Sequence, residues 1–136
     1  LLSRRQRQMC IRDSANVVPY FYEDDEVAQS CMERRVSQLS GGERRYLEAK
    51  LLLLGNAKFV LLDEPFDYLS FHLVDKLIGL IKKHSEEKGI VIADHNYEKV
   101  LEVVNRLVLI REGVLMELTD KRGLVEQGYL LDESYL

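Results

Sequence analysis

Two short apolar runs, at residues 59–62 and 90–93, most constrain how this chain can fold. Both consist of consecutive apolar side chains, without the alternation that marks a half-buried strand. Unbroken runs of this length are typical of strands that are buried on both faces of a parallel sheet. They predict an α/β fold with a mostly parallel sheet and helices on both of its faces.

The segment between the two runs has the spacing of an amphipathic helix. We expect this helix to extend over residues 70–87 and to stop at Gly89. Its two histidines, His72 and His84, are expected to be solvated. The apolar positions that recur at helical spacing are Phe71, Val74, Leu77, Ile78 and Ile81.

Charged residues follow each apolar run directly. Asp63 and Glu64 end the first run, and Asp94 and His95 end the second. Ligand sites of open α/β sheets lie at the carboxyl ends of their strands. One carboxylate of the first pair could hold Mg²⁺, and the other could accept a proton from water. The alternatives are a solvated strand end and a histidine that is merely packed.

Upstream, Ser40 and Glu43 have the spacing of a capping box at the start of a helix. Gly41 and Gly42 lie inside the box and leave first-turn N–H groups open to an anion. The helix is expected to reach residue 54 and to stop at residues 55–56, with a buried stripe formed by Leu47, Leu51 and Leu54. A plain helix cap is the alternative interpretation.

The ordered set of Leu-Ser-Gly-Gly-Glu at residues 39–43, Asp-Glu-Pro at 63–65 and a histidine at 95 resembles the C-terminal half of an ATP-binding cassette (ABC) ATPase. The resemblance covers residues 36–113. It implies a partial P-loop NTPase-like, three-layer α/β fold that ends in a hairpin and lacks its phosphate-loop part. Within the family, the motifs are most similar to those of the bacterial lipopolysaccharide-export and branched-chain amino-acid groups.

The resemblance implies ATP and Mg²⁺ as cofactors and assigns roles to the strand-end residues. Asp63 would assist in holding Mg²⁺, Glu64 would be the general base, and His95 would be the switch residue near the γ-phosphate. Residues 66–70 would form the D-loop. This loop ends in Ser70, where the family usually has aspartate, so the usual role of that position does not carry over.

The resemblance also assigns residues 39–43 to the signature motif, which binds the nucleotide held by a partner subunit. Ser40 and the N–H groups of Gly41 and Gly42 would contact the γ-phosphate, and Glu43 belongs to the same motif. The implied assembly is a dimer of nucleotide-binding subunits with transmembrane partners, at the cytoplasmic face of the inner membrane. It would power transport by ATP hydrolysis.

Two other functions remain open. One is a soluble ABC protein that acts on ribosomes or DNA, although such translation factors usually carry Thr-Asn-His where this chain has residues 66–68. The other is a non-catalytic cassette remnant that serves as an interaction module. The sequence contains no Gly-Lys pair and therefore no G-x-x-x-x-G-K-[ST] phosphate loop, so these residues alone are not expected to hydrolyse ATP.

The first fourteen residues are unlike the rest of the chain. Written back as codons, residues 4–14 match a transposase-type sequencing adapter read in frame, and we expect residues 1–14 to be non-native. A natural basic arm is the alternative. The resemblance assigns residues 15–38 to the end of a helical subdomain and residues 39–136 to the C-terminal part of the nucleotide-binding domain. For the first segment, a surface helix with one apolar face, Val27 and Met32, is an equal alternative.

Without residues 1–14 the chain has 15 Lys and Arg against 22 Asp and Glu, a net charge of −7. This charge does not favour nucleic-acid binding. Cys31 is then a single cysteine, which suits a reducing compartment. Further elements are predicted as a helix from an acidic start at residues 23–26 to residue 34, a hairpin of residues 107–110 and 114–118 turning at Glu112 and Gly113, and a helical tail at 120–127.

Overall fold

A computed structural model describes residues 20–131 of the chain. The expected non-native segment, residues 1–14, lies outside the described residues. None of the helices within residues 20–131 combines the length and the apolar character that a membrane-spanning helix needs. The elements in chain order are α1 (Glu26–Cys31), a 3₁₀ turn (Val36–Gln38), α2 (Gly41–Leu54), β1 (Phe59–Asp63), α3 (Phe71–His84), β2 (Gly89–Ala93), α4 (Tyr97–Val103), β3 (Leu107–Arg111), β4 (Val114–Leu118) and α5 (Gly123–Glu126).

The first of two compact units ends at His95, and its sheet is the parallel pair β1 and β2. Phe59 pairs with Gly89 at one end and Asp63 with Ala93 at the other. Because the strands end level with each other, the residues that follow both strands start at the same edge of the sheet. This confirms the predicted parallel arrangement, which includes the helix α3 between the strands.

Helices α2 and α3 pack against each other, and α2 also contacts β1. The expected leucine stripe of α2 is wrong: Leu51 is 38% exposed, and the buried positions lie on a neighbouring stripe. Phe71, expected in the stripe of α3, is 76% exposed. The buried apolar residues of this unit are Ala28, Cys31, Tyr46, Ala49, Leu53, Val60, Leu62, Phe66, Leu73, Val74, Leu77, Ile78 and Ile81.

A buried polar group explains why the stripe of α2 is rotated. Asp25 caps the N-terminus of α1 by accepting from the backbone N–H groups of the next turn, at 3.1 and 3.3 Å. Its other oxygen accepts from the Tyr46 hydroxyl and from the Lys50 ammonium, both at 2.6 Å. Burial raises the pKa of Asp25, but the hydrogen bonds from Lys50, Tyr46 and the Ala28 backbone, together with the charge of Lys50, outweigh burial and lower the pKa. Lys50 and Tyr46 therefore face inward because α1 supplies their partner.

Helix α1 is shorter than predicted, since it ends at Cys31 rather than at residue 34. Ala28 and Cys31 form its buried face, whereas Met32 is 56% exposed. The prediction for His84 is also wrong. The histidine is half-buried, and its Nε2 is buried without a hydrogen-bond partner among the described residues.

The strands β1 and β2 are not buried on both faces, contrary to the expectation from their apolar runs. Val60 and Leu62 are buried, but Leu61 is 74% exposed and its neighbour Val91 is 58% exposed. The sheet of this unit has two strands in the described part of the chain, and the described helices leave one of its faces open. The apolar side chains on one face of this strand pair, Leu61 and Val91, are therefore not covered by other described residues.

The second unit begins at Asn96 and contains the antiparallel hairpin of β3 and β4. Glu112 and Gly113, with φ of 51° and 79°, form its turn, as predicted. Two consecutive positive φ values are the signature of a tight turn that matches strand twist. The predicted helical tail is reduced to the short helix α5.

Candidate functional site

The turn at the start of α2 has the predicted capping box. The Glu43 backbone N–H donates to Ser40 Oγ at 3.1 Å, and the Ser40 N–H donates to the Glu43 carboxylate at 2.7 Å. Helix geometry leaves the N–H groups of Gly41 and Gly42 without an intrahelical partner. The N-terminus of a fourteen-residue helix is therefore presented on a locally fixed turn.

The two glycines in this turn, Gly41 and Gly42, have different surroundings. A Cβ on Gly41 would meet no atom within 4 Å, so this side of the turn is open. A Cβ on Gly42 would lie 2.8 Å from the backbone oxygen of Tyr68 and 3.4 Å from Leu73 Cδ1. Gly42 is thus needed for close packing of the turn against residues 66–70, whereas the space beside Gly41 is open.

Arg34, which precedes the 3₁₀ turn, holds the Glu43 side chain in place. Its guanidinium donates to both Glu43 carboxylate oxygens, at 2.8 and 3.3 Å, and to the backbone oxygen of Gln38 at 2.6 Å. The hydrogen bond from Arg34, and then that from the Ser40 backbone, lowers the pKa of Glu43 to about 2. No sequence pattern predicts this pair, because its members lie nine residues apart across an irregular segment.

The carboxylates after β1 occupy different environments. Asp63 is the last residue of β1 and is exposed. Glu64 has a left-handed backbone with φ of 47°, and its N–H donates to the Ala93 oxygen at 2.7 Å. Arg45, from α2, donates to the Glu64 backbone oxygen at 3.1 Å. The backbone of Glu64 is therefore held at both polar groups, while its side chain is 51% exposed.

His95 lies beside Glu64, as the order of strands and charged residues predicts. Its Nδ1 is 3.6 Å from Glu64 Oε1. The other ring nitrogen, Nε2, is 3.8 Å from Asp67 Oδ1, and Nδ1 is also 3.9 Å from Asp94 Oδ1. Three carboxylates thus surround one imidazole at the carboxyl edge of the parallel pair.

Asp67 is the member of this cluster that sequence reasoning missed. Its backbone N–H donates to the Glu64 oxygen at 3.2 Å, so residues 64–67 form a turn that brings both carboxylates to one side. Phe66 is buried, and its N–H donates at 3.3 Å to Asp94, whose side chain is fully buried. The only available signal was the spacing of three residues between Glu64 and Asp67.

The turn of residues 39–43 and the Glu64–His95 pair form two separate features of this unit. They are linked by Arg45 and by the packing of Gly42 against Tyr68. Chemically, the exposed carboxylate of Glu64 can accept a proton from water. Asp63 offers a hard oxygen ligand at the strand end, which suits Mg²⁺. The open N-terminus of α2 suits a phosphate group.

Curated relatives of this chain are ATP-binding proteins of transport systems. The chain is 36% identical over 93 residues to the glutathione/L-cysteine transport system ATP-binding/permease protein CydC of Haemophilus influenzae, covering 67% of this chain and 16% of that protein. It is 38% identical over 81 residues to the lipopolysaccharide export system ATP-binding protein LptB of the same species, covering 57% and 33%. The thiamine import ATP-binding protein ThiQ of Histophilus somni is 33% identical over 88 residues, covering 63% and 41%.

Two solved structures have a similar fold. An SMC ATPase structure matches with a TM-score of 0.54 at 19% identity, covering 74% of this chain and 66% of that one. A structure of the RNase-L inhibitor matches with a TM-score of 0.58 at 21% identity, covering 82% and 24%. At these identities the likeness shows the fold alone.

No family model matches the sequence. The chain spans between 16% and 41% of the length of the three curated relatives described here. The three curated relatives nonetheless agree on one type of protein, and the mixed α/β fold is that of the two solved structures. Over about 60% of its length, the chain is homologous to the ATP-binding subunits of ABC transporters.

Proposed function

We propose that this chain contributes the hydrolytic and signature elements of an ATP-hydrolysing subunit that powers transport through separate transmembrane proteins. The observation that carries the proposal is the 3.6 Å approach of His95 Nδ1 to Glu64 Oε1 at the end of a parallel strand pair. The transport systems named for three of its relatives support it. The subunit would lie at the cytoplasmic face of the inner membrane.

In this proposal Glu64 accepts a proton from the water that attacks the γ-phosphate. His95 lies beside that carboxylate and would contact the γ-phosphate. Asp63 would help to hold Mg²⁺, which supplies positive charge to the phosphate oxygens when bound. The donor types fit these roles, because Asp63 and Glu64 are exposed carboxylates at the carboxyl end of β1.

The turn of residues 39–43 would serve as the signature motif and act on the nucleotide of a second subunit. Ser40 and the N–H groups of Gly41 and Gly42 belong to the N-terminus of α2, which attracts anions. The open space beside Gly41 supports an approach of phosphate from outside the chain. Because the sequence has no phosphate loop of its own, the ATP cradle would come from a segment beyond these 136 residues.

A chimaera tests the proposed role of Glu64. We would join the phosphate-loop half of the Haemophilus influenzae lipopolysaccharide-export ATP-binding protein to residues 15–136 and measure ATP turnover. Glu64→Gln should reduce turnover by about 10²-fold or more, because the amide cannot take the proton. The same variant should accumulate as an ATP-bound dimer in size-exclusion chromatography. Glu86→Gln, an exposed carboxylate change on the surface, is the matched control.

Two results would contradict the proposal. Turnover in the Glu64→Gln chimaera equal to that of the Glu86→Gln chimaera would remove Glu64 from its role. ATP binding by the 136-residue chain alone would count against the need for a separate phosphate loop. The proposal that residues 1–14 are non-native has its own test, which is independent long-read sequencing of the source DNA through the codon for Ala15.

A further inference from the structure

Glu64, Asp67 and His95 form a mixed carboxylate and imidazole cluster at the edge of the parallel pair. One possible ligand atom from each residue lies within 4.8 Å of the other two. The shortest approaches are 3.6 Å between His95 Nδ1 and Glu64 Oε1, and 3.8 Å between His95 Nε2 and Asp67 Oδ1. These two approaches involve different ring nitrogens, and one ion would bind only one of them. Two ligands of one tetrahedral zinc ion are about 3.4 Å apart, so small side-chain rotations would bring the three ligand atoms, which lie within 4.8 Å of one another, to that spacing.

Asp94 gives the imidazole a second partner besides the ligand carboxylates. Its side chain is fully buried, and its Oδ1 lies 3.9 Å from His95 Nδ1. Metal-binding histidines commonly direct the ring nitrogen that does not bind the metal toward a carboxylate, which fixes the tautomer. Nδ1 lies 3.6 Å from Glu64 and 3.9 Å from Asp94, whereas Nε2 lies 3.8 Å from Asp67. A metal ion bound by Nε2 would leave Nδ1 to Asp94 and would require the Glu64 side chain to turn toward Asp67.

The two ligand-bearing segments are tied together through the same aspartate. The Phe66 N–H donates to Asp94 Oδ2 at 3.3 Å, and Phe66 is buried. Asp67 directly follows Phe66, and Phe66 is hydrogen-bonded to Asp94, the residue before His95. The three ligand side chains remain accessible, with side-chain exposures of 51% for Glu64, 24% for Asp67 and 68% for His95. An ion can enter without displacing the core.

We infer that Glu64, Asp67 and His95 form a binding site for a divalent transition-metal ion of the zinc class. Imidazole nitrogen together with carboxylate oxygen suits zinc, whereas Mg²⁺ prefers oxygen ligands and water. The two carboxylates balance the charge of one divalent ion. Asp67 lies in the segment assigned to the D-loop but has no individual role in the proposed ATPase site, and a metal ion shared with His95 would give it one.

The functional consequence of this site rests on the proposed function. A metal ion on Glu64 would occupy the oxygen that is proposed to accept a proton from water. Zinc would therefore inhibit hydrolysis by competing for the general base. Metal binding itself needs neither ATP nor a phosphate loop, so it can be measured on the chain without reference to turnover.

The test is a titration of the 136-residue chain with Co²⁺ followed by visible absorption, and with Zn²⁺ by calorimetry. All proteins carry Cys10→Ser, because thiolates bind zinc. We expect one ion per chain, and about tenfold or greater loss of Zn²⁺ affinity in His95→Gln and in Asp67→Asn. His72→Gln and Asp75→Asn, exposed changes on α3, are the matched controls and should bind as the parent does.

Equal Zn²⁺ affinity in the two cluster variants and the two controls would overturn the inference. Displacement of Zn²⁺ by equimolar Mg²⁺ would do the same, because it would mean that the imidazole does not select the ion. Circular dichroism verifies that each variant is folded. A shift of the His95 ring nitrogen signals on adding Zn²⁺ to the parent, seen by ¹⁵N NMR, provides support that does not depend on any cluster variant. The absence of that shift counts against the site. Failure here leaves the Glu64→Gln result in the chimaera unaffected.

Discussion

The Lys50 ammonium lies 2.6 Å from the Asp25 carboxylate, and the two side chains are only 4% and 6% exposed. This pair attaches the start of α1 to the middle of α2. Tyr46 donates a further hydrogen bond to the same oxygen of Asp25, at 2.6 Å. The Asp25 carboxylate thereby raises the pKa of the Tyr46 hydroxyl in addition to the effect of burial.

Replacing Lys50 by methionine should destabilise the chain by about 3–5 kcal/mol, because Asp25 would keep its buried charge without its closest cationic partner. The free energy of unfolding is measured by urea denaturation followed by circular dichroism. Lys82→Met, at an exposed position of α3, is the control and should change stability by about 0.5 kcal/mol or less. An equal effect of the two substitutions would contradict the structural role of the pair.

Alanine substitutions at Gly41 and at Gly42, the two glycines at the start of α2, should have opposite effects on the melting temperature. Gly42→Ala should lower the melting temperature, since its Cβ would lie 2.8 Å from the backbone oxygen of Tyr68. Gly41→Ala should leave the melting temperature unchanged or slightly raised, because its Cβ enters open space and alanine favours the helix. Differential scanning calorimetry of the two variants provides the comparison. A larger loss in Gly41→Ala would show that the packing has been assigned to the wrong glycine.

Removing the guanidinium of Arg34 should raise the pKa of Glu43 from about 2 toward that of an ordinary glutamate. The reason is that the hydrogen bond from Arg34 is the largest contribution to the shift, ahead of the Ser40 backbone. We would titrate the Glu43 carboxyl carbon by ¹³C NMR in Arg34→Met. Arg44→Met, an exposed arginine next to Glu43 in sequence, should leave the titration as it is. An unchanged pKa in Arg34→Met would mean that the backbone cap alone holds the charge.

His84 should make the chain less stable as the pH falls below neutrality. Burial lowers its pKa, with smaller contributions from Lys88 and Lys83, and Glu87 opposes them. A histidine with a lower pKa in the folded state binds more protons when unfolded. Its stabilising contribution is therefore present above the ordinary value of 6.5 and is lost as the pH falls from there through the folded pKa.

Urea unfolding at several pH values between neutral and acidic tests this prediction. His84→Gln should flatten the decline of unfolding free energy in that range, relative to the parent. His72→Gln is the matched control, because His72 is exposed on the same helix and should leave the slope unchanged. Parallel slopes in all three proteins would exclude His84 as the responsible group.

Local sequence signals predicted the elements that position the site. The capping box at Ser40, the order of strand, helix and strand, and the placement of Glu64 next to His95 all follow from patterns a few residues long. These patterns are reliable because backbone geometry determines them. A parallel pair whose strands end in register brings the following residues together whatever packs around it.

The features that sequence could not predict depend on partners distant in the chain. Lys50 is buried because Asp25, 25 residues away in sequence, supplies its countercharge. Asp67 joins His95 only through the turn that follows Glu64. The open face of β1, with Leu61 exposed, reflects what the described residues leave uncovered rather than anything in the strand itself. None of these three features produces a periodic pattern in the sequence from which it could be predicted.

At Glu64 the residue that would best stabilise the fold differs from the residue that the proposed chemistry requires, because the backbone there is left-handed. A side chain at φ of 47° costs about 1 kcal/mol or more that glycine would not incur. A library randomised at residue 64 and selected for thermal resistance alone should therefore enrich glycine. Selected for ATP turnover in the chimaera, the same library should retain glutamate. The end of β1 would then be a place where evolution has kept a less stable residue because of the group that it carries.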